Sequence, residues 1–185
     1  MKLNDVLFNY VNNKEGHPRE IGRYWASEVY AIKKGYKKPE DFFKKKIVED
    51  DGMRRIVSGL GYEKLLSDML DFSKIDYIYN PKTEYKINDD ITLVVKPDFV
   101  FPEHIWEMKT TSNRTDSIPD KWAFQLECEA QVYQKPVYLV VASFPFQIKF
   151  FEFKPSTVRW KNVQKTLIEF DSKLKQINEN KDKNK

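Results

Sequence analysis

Apolar residues recur along this chain with two different periods. From about residue 51 to 71, Met53, Ile56, Val57, Leu60, Leu66 and Leu70 fall three or four apart, which predicts a long amphipathic helix. Trp25, Val29, Ile32 and Tyr36 keep the same spacing upstream, Pro39 opens a further short helix through Phe42 and Phe43, and residues 2–12 predict another. The period then shortens. ITLVVKPDFVF (91–101) reads as a strand interrupted at Pro97, and IWEMKTT (105–111) as its hairpin partner across Pro102, Glu103 and His104. Asn113 to Pro119 is a polar loop and residues 120–134 a helix. PVYLVVASF (136–144) is a buried strand, QIKFFEF (147–153) its neighbour across Pro145, and 156–177 a last helix. The order α–β–β–α–β–β predicts an α/β (α+β) fold with a central mixed sheet flanked by helices. One domain is expected over 1–177, with a helical part to about 72 and a core over about 73–155; residues 178–185 read as a disordered polar tail.

Some polar residues occupy positions that the apolar period assigns to the interior. At 100° per residue, Gln125 and Glu129 share the side of their helix with Trp122, Leu126 and Tyr133, whereas Glu127 and Gln131 point to water. Glu63 lies along the apolar edge formed by Ile56, Leu60 and Leu70. Asp98 follows Pro97 within a strand. Glu107 and Lys109, two apart, project from one face of the next strand with Met108 opposite. An acid and a base side by side on an apolar strand need each other or a metal, because an unpaired buried charge is costly.

Composition narrows the classes. The 185 residues carry a net charge of +4, 41% hydrophobic and 15% aromatic residues. That suits one folded domain and excludes a disordered chain. No apolar run reaches transmembrane length, and the N-terminus lacks the apolar stretch of a signal peptide. The single cysteine, Cys128, excludes an internal disulfide, a CxxC zinc site and a four-thiolate cluster, so an intracellular, cytoplasmic location without a membrane is expected. Seven lysines stand against Glu40 and Asp41 in residues 33–46, a local +5 that a solvated helix face or a phosphate backbone would both accommodate. His17 and His104 lack ligand spacing.

KPDFVFPEHIWEMKTT resembles the metal-binding hairpin of the PD-(D/E)XK nuclease superfamily: Pro97-Asp98, eight residues, then Glu107-Met108-Lys109. Five acid-x-Lys triplets occur, at Glu84, Glu107, Glu152, Asp171 and Glu179. Only that of Glu107 combines a preceding Pro-Asp, strand-like flanks and a following Thr-Thr. GLGYEKLL (59–66) is similar to a helical segment of the RecB-like branch, with Glu63 where that branch has a histidine. WAFQLECEAQVY (122–133) is similar to its glutamine-bearing helix. Gln125 matches the glutamine, and Glu129 stands where the branch usually has tyrosine. The resemblance spans roughly residues 50–153 and implies a restriction-endonuclease-like core, in a branch without the iron–sulfur cysteines.

The resemblance also implies a metal-dependent DNA nuclease. Asp98, Glu107, the Met108 carbonyl and Glu63 would hold Mg²⁺ or Mn²⁺, hard ions that take oxygen ligands. Lys109 would orient the attacking water and stabilise the developing charge, while Gln125 holds Lys109 or a phosphate. Lys96, Arg114, Lys121 and Trp122 are candidate contacts to single- or double-stranded DNA. A homo-oligomer is compatible. The rival class is a catalytically silent module on the same fold that binds nucleic acid or protein.

Overall fold

The computed structural model describes residues 8, 10–11, 19–44, 48, 50–113, 115–143 and 147–183. Most of the helix expected over 2–12, His17, the turn at Pro145 and Arg114 lie outside these. Among the described residues from Arg23 onward, strands and helices follow in the order β1 (Arg23–Trp25), α1 (Val29–Lys33), α2 (Asp50–Phe72), β2 (Ile78–Tyr79), β3 (Thr83–Lys86), β4 (Thr92–Val95), β5 (Phe99–Val100), β6 (Ile105–Thr111), α3 (Asp120–Tyr133), β7 (Val137–Ser143), β8 (Gln147–Phe153) and α4 (Thr157–Lys183). Short 3-10 turns sit at Ala26–Glu28 and Pro39–Asp41. The fold is mixed α/β, as expected, with two hydrogen-bonded sheets ordered β1-β4-β3 and β2-β5-β6-β7-β8.

The run expected as one strand over 91–101 is two strands in two sheets. Pro97 has no N–H to donate, so the ladder of β4 ends at Val95 and resumes two residues beyond the proline as β5. Beyond the break, Phe99 pairs with Trp106 and Val100 with Ile105 across the predicted hairpin turn. β6 then runs parallel to β7 over seven residue pairs, connected through α3 as a βαβ unit, and β8 returns antiparallel to β7. Upstream, β1 lies parallel to β4. Gly22, at φ +83°, lets the chain come this close: a side-chain carbon there would sit 2.5 Å from the Asp90 carbonyl oxygen. The helical spacing that included Trp25 therefore begins later than expected, because Trp25 is the last residue of β1.

α3 is covered on both sides. Phe124 and Cys128 face a core shared with Tyr24, Val29, Leu93, Val163 and Leu167, whereas Ala123, Leu126 and Ala130 face the five-stranded sheet at Val137, Leu139 and Val141. This corrects the expectation for Glu127, which does not reach water and is fully buried. Its carboxylate accepts the Ser156 N–H at 2.9 Å and pairs with Arg159 at 3.0 Å, so it serves the start of α4 and its charge is matched. A polar residue on the face opposite the sheet points outward only when nothing covers that face, and here α1 and α4 do.

α2 is less buried than its pattern implies. Met53 and Leu70 are buried, and Leu66 packs with Tyr77 on Phe99, Phe101 and Leu70; Ile56, by contrast, is 41% exposed. The expected tail continues α4 as helix to Lys183. Among the described residues no helix is long and apolar enough to cross a membrane.

Removing the Glu127 carboxylate would strand the Arg159 guanidinium and the Ser156 N–H. Glu127→Ala should cost about 3 kcal/mol, roughly 6–12 °C in Tm for a chain of this size, by thermal denaturation. A loss below about 2 °C would contradict the ion pair's structural role.

Candidate active site

β6 puts Glu107 and Lys109 on the face covered by α3, with Trp106 and Met108 on the other. Glu107 is 1% exposed, and its Oε1 receives both the Lys109 ammonium and, at 2.5 Å, the Gln125 amide. The same Gln125 nitrogen donates to Glu129 Oε1 at 2.9 Å. Gln125 therefore bridges two buried acids; of its two expected partners, Lys109 or a phosphate, it makes no hydrogen bond to Lys109. Gln125 and Glu129 are one turn apart and inward-facing, as their spacing predicts. Only the Oε1 atoms are occupied: Glu107 Oε2 and Glu129 Oε2 are buried with no hydrogen-bond partner.

Asp98 reaches this group from the break between the sheets. Its Oδ2 accepts the Met108 N–H at 2.7 Å, and its carbonyl accepts the Asn80 N–H at 2.9 Å. The side chain thus takes up a backbone donor of β6 at the point where β5 has ended. Glu63 arrives on α2, which crosses β6 near Gly59, where a side-chain carbon would lie 3.5 Å from Thr110 Oγ1. Its Oε2 accepts the Tyr79 hydroxyl at 3.3 Å. Tyr79 belongs to a two-residue edge strand and packs on Phe99 with the rings tilted by 48° and their centroids 5.3 Å apart.

The acids feel one another. Burial, then the Glu107 charge, pushes Asp98 well above the usual carboxylate range, and the same two causes raise Glu129. Glu63 is raised mainly by burial, although the Tyr79 hydrogen bond opposes the rise. Tyr79 is pushed up to about 12 by burial and by Glu63. For Lys109, burial favours the neutral amine, but the Glu107 and Asp98 charges outweigh it, so its proton is held more tightly than usual.

The Lys109 ammonium therefore acts on all four carboxylates, with Lys96 adding to it at Glu63. Among the described residues no three acid, imidazole or thiol side chains approach a common point as ligands of one ion do. The oxygen donors nevertheless suit a hard divalent cation, and two buried carboxylate oxygens lack any donor, a costly state for a charged acceptor.

Next to the Lys109 end of β6 lies a cavity of about 460 Å³, lined by Arg55, Ser58, Tyr62, Thr110, Thr111 and Lys121, with Trp122 also on its wall. The Lys121 ammonium sits 4.8 Å from the Trp122 ring centroid. Lys96 is exposed and contributes to the field at Glu63. The predicted contacts Lys96, Lys121 and Trp122 thus border the site. Arg55, Ser58 and Tyr62 were not anticipated, although their spacing along α2 marks one polar face. Tyr79 carries no local signal, because its contact to Glu63 spans 16 residues.

The rival triplets have other partners. Glu84 pairs with Arg23 on the exposed β3, Glu152 and Glu179 are exposed, and Asp171 accepts the Tyr24 hydroxyl at 2.6 Å and pairs with Lys175 at 3.0 Å. His104 stacks on Phe101, and Cys128 is a core residue whose thiol burial pushes up.

No protein-family model matches the chain, and no curated protein matches it. Solved structures do share its fold. The protein SSO0001 aligns with a TM-score of 0.69 at 14% identity, over 94% of this chain and 87% of its own. An alkaline exonuclease, LHK-Exo, from Laribacter hongkongensis aligns at 0.65 and 11% identity, over 98% of this chain and all of its own. The same exonuclease in complex with dAMP aligns at 0.63 and 11% identity, over 89% and 96%. At such identities the likeness is one of fold.

Because Glu129 is raised, the folded protein keeps its proton to a higher pH than the unfolded chain does. That contribution to stability is complete below the ordinary carboxylate pKa and is lost as pH rises through the folded value. Glu129→Gln should therefore gain Tm relative to the parent between pH 5 and pH 8 in chelating buffer. A Tm difference that does not change with pH would contradict a buried ionisable Glu129.

Proposed function

We propose that this chain is a divalent-metal-dependent deoxyribonuclease that hydrolyses phosphodiester bonds, of the RecB-like kind without iron–sulfur cysteines. The observation that carries the reading is the Glu107 carboxylate, almost wholly buried, with Lys109 and Gln125 on one oxygen and nothing on the other. A structural ion pair has no need of a second acid across the strand break, a third behind the glutamine and a fourth from α2. The shared fold with an alkaline exonuclease supports the same reading.

Asp98, Glu107 and the Met108 carbonyl would hold Mg²⁺ or Mn²⁺, with Glu63 as the further carboxylate. Such an ion supplies a nucleophile at neutral pH and a counter-charge for the developing negative charge. The chain's own groups do the remaining work. Lys109, kept protonated by its neighbours, acts as a donor: it orients the attacking water and stabilises charge building on the phosphate oxygens, and it does not act as a free base. Gln125 fixes the rotamer of Glu107 and ties it to Glu129. Tyr79 holds Glu63 on the site side of α2. Arg55 and Lys121, on the adjoining cavity, supply positive charge for a DNA backbone, and Trp122 supplies a stacking face.

The test is incubation of the chain with end-labelled linear and circular DNA, single- and double-stranded, with Mg²⁺, Mn²⁺ or chelator. Asp98→Asn and Lys109→Met should each lower cleavage by about a hundredfold or more while circular dichroism stays unchanged. Full cleavage by either variant would sink the assignment, and absence of cutting by the parent with both metals would favour the silent binding module. Separately, Mg²⁺ or Mn²⁺ at a hundred times its Kd should stabilise the fold by about 2.7 kcal/mol, and Asp98→Asn should diminish that shift. No Tm change with either ion would argue against a metal at these carboxylates.

A further inference from the structure

The lysines that follow α1 do not stand alone. Lys33 closes that helix, Lys37 and Lys38 lie in the turn after it, and the fold brings them to one opening with Lys165 and Lys173 of α4, more than 120 residues later in the chain. The cleft between the two segments has a volume of about 430 Å³, with Glu169 as the one carboxylate on its wall. Lys37 pairs with Glu28 at 2.6 Å, and Lys165 with Glu169 at 3.8 Å. Among the described residues Lys33 and Lys173 have no carboxylate partner, and Lys38 makes no ion pair, although its charge is felt at Asp41. The Lys33 ammonium rests only over the Phe124 ring, 4.6 Å from its centroid. Like charges gathered from two separate elements around one concavity repel, so the arrangement is relieved by a ligand that is itself a line of anions.

We infer that this cleft is a second nucleic-acid track, which holds the phosphate backbone of a DNA strand at a distance from the carboxylate site. It rests on the nuclease reading for the identity of the polyanion. Lys165 and Lys173 are eight residues apart on one helix, about 12 Å along its axis. That is the axial span of three to four nucleotides of one strand at about 3.4 Å each. Asn162 and Thr166, on the same helix, give neutral donors between the charges. Of the cleft's apolar members Ile32 and Phe170 are buried and Pro39 is half-buried, so the lining offers no aromatic face to a base and little apolar surface to a bilayer. Such a lining binds backbone without reading sequence. None of its residues belongs to the catalytic group. α3 touches a member of each: the Lys33 ammonium sits over Phe124, and the next residue, Gln125, reaches Glu107.

The test uses the full chain with Asp98→Asn to block cutting, with and without Lys38→Gln and Lys173→Gln. Both lysines are exposed, so the fold should tolerate the changes. Binding of labelled oligonucleotides of 6 and 24 nucleotides is read by fluorescence anisotropy across a salt series. The double lysine variant should bind the 24-mer about tenfold more weakly and the 6-mer within twofold. Its slope of log Kd against log salt should fall by roughly 1.4, at about 0.7 for each single-strand phosphate that a lysine no longer neutralises. Unchanged 24-mer affinity and slope would overturn the track, as would an equal loss at both lengths. A loss confined to anionic vesicles or to polyglutamate would overturn it in favour of those ligands. With Asp98 restored, cleavage of the 6-mer reads the nuclease assignment separately. A parent that cuts nothing but still binds the 24-mer through these lysines would fail that assignment and keep the track.

Discussion

The hydrogen bond from the Met108 N–H to Asp98 Oδ2 stands at the meeting point of both sheets and the acidic cluster. Pro97 ends one ladder because it has nothing to donate, and the chain re-enters pairing in the other sheet at Phe99. At that gap a side-chain oxygen replaces a backbone carbonyl. The substitution satisfies a strand N–H and fixes a carboxylate beside Glu107 at the same time. Glu63, Gln125 and Glu129 reach a centre whose position is already set by this break in β structure. The Asn80 N–H on the Asp98 carbonyl extends the same anchor to the segment that carries Tyr79.

α3 offers an internal comparison between two buried glutamates two residues apart. Glu127 has an arginine and a helix-start N–H, every requirement of its charge is met, and its role is structural. Glu129 has one amide from Gln125 and a bare second oxygen. The same residue type, on the same helix and at equal burial, is complete in one case and incomplete in the other. Incompleteness at such depth is costly, and it is concentrated where Lys109, Glu107 and Asp98 meet. That contrast separates the chemistry of the site from the ordinary burial of charge elsewhere in the fold.

Much of this was legible in the chain. The strand over 105–111 is legible to the residue, and α2, α3, β7 and β8 within one or two, because each carries either a clear apolar period or, in β7, an unbroken apolar run. The inward placement of Glu107, Lys109, Gln125 and Glu129 followed from the same periods. What escaped did so for identifiable reasons. β2 is two exposed residues whose partner lies about twenty positions away, and β1 is three residues held by a parallel neighbour. Neither has enough length to show a period. Glu127 is buried against the expectation because a helix covered on both sides turns neither of these faces to water. The Tyr79–Glu63 contact depends on how an edge strand meets a helix, which no local spacing encodes.

β6 is braced unevenly. Its first two residues have strands on both sides, but from Glu107 onward β7 is its only strand neighbour among the described residues, since β5 begins only at Phe99. Beyond that point a side chain and a helix hold the outer edge of β6: Asp98 Oδ2 takes the Met108 N–H, and Gly59 brings α2 against Thr110. A further pairing strand would claim the same N–H, so the shortness of β5 is what leaves room for a carboxylate at the rim of the strand that bears Glu107 and Lys109.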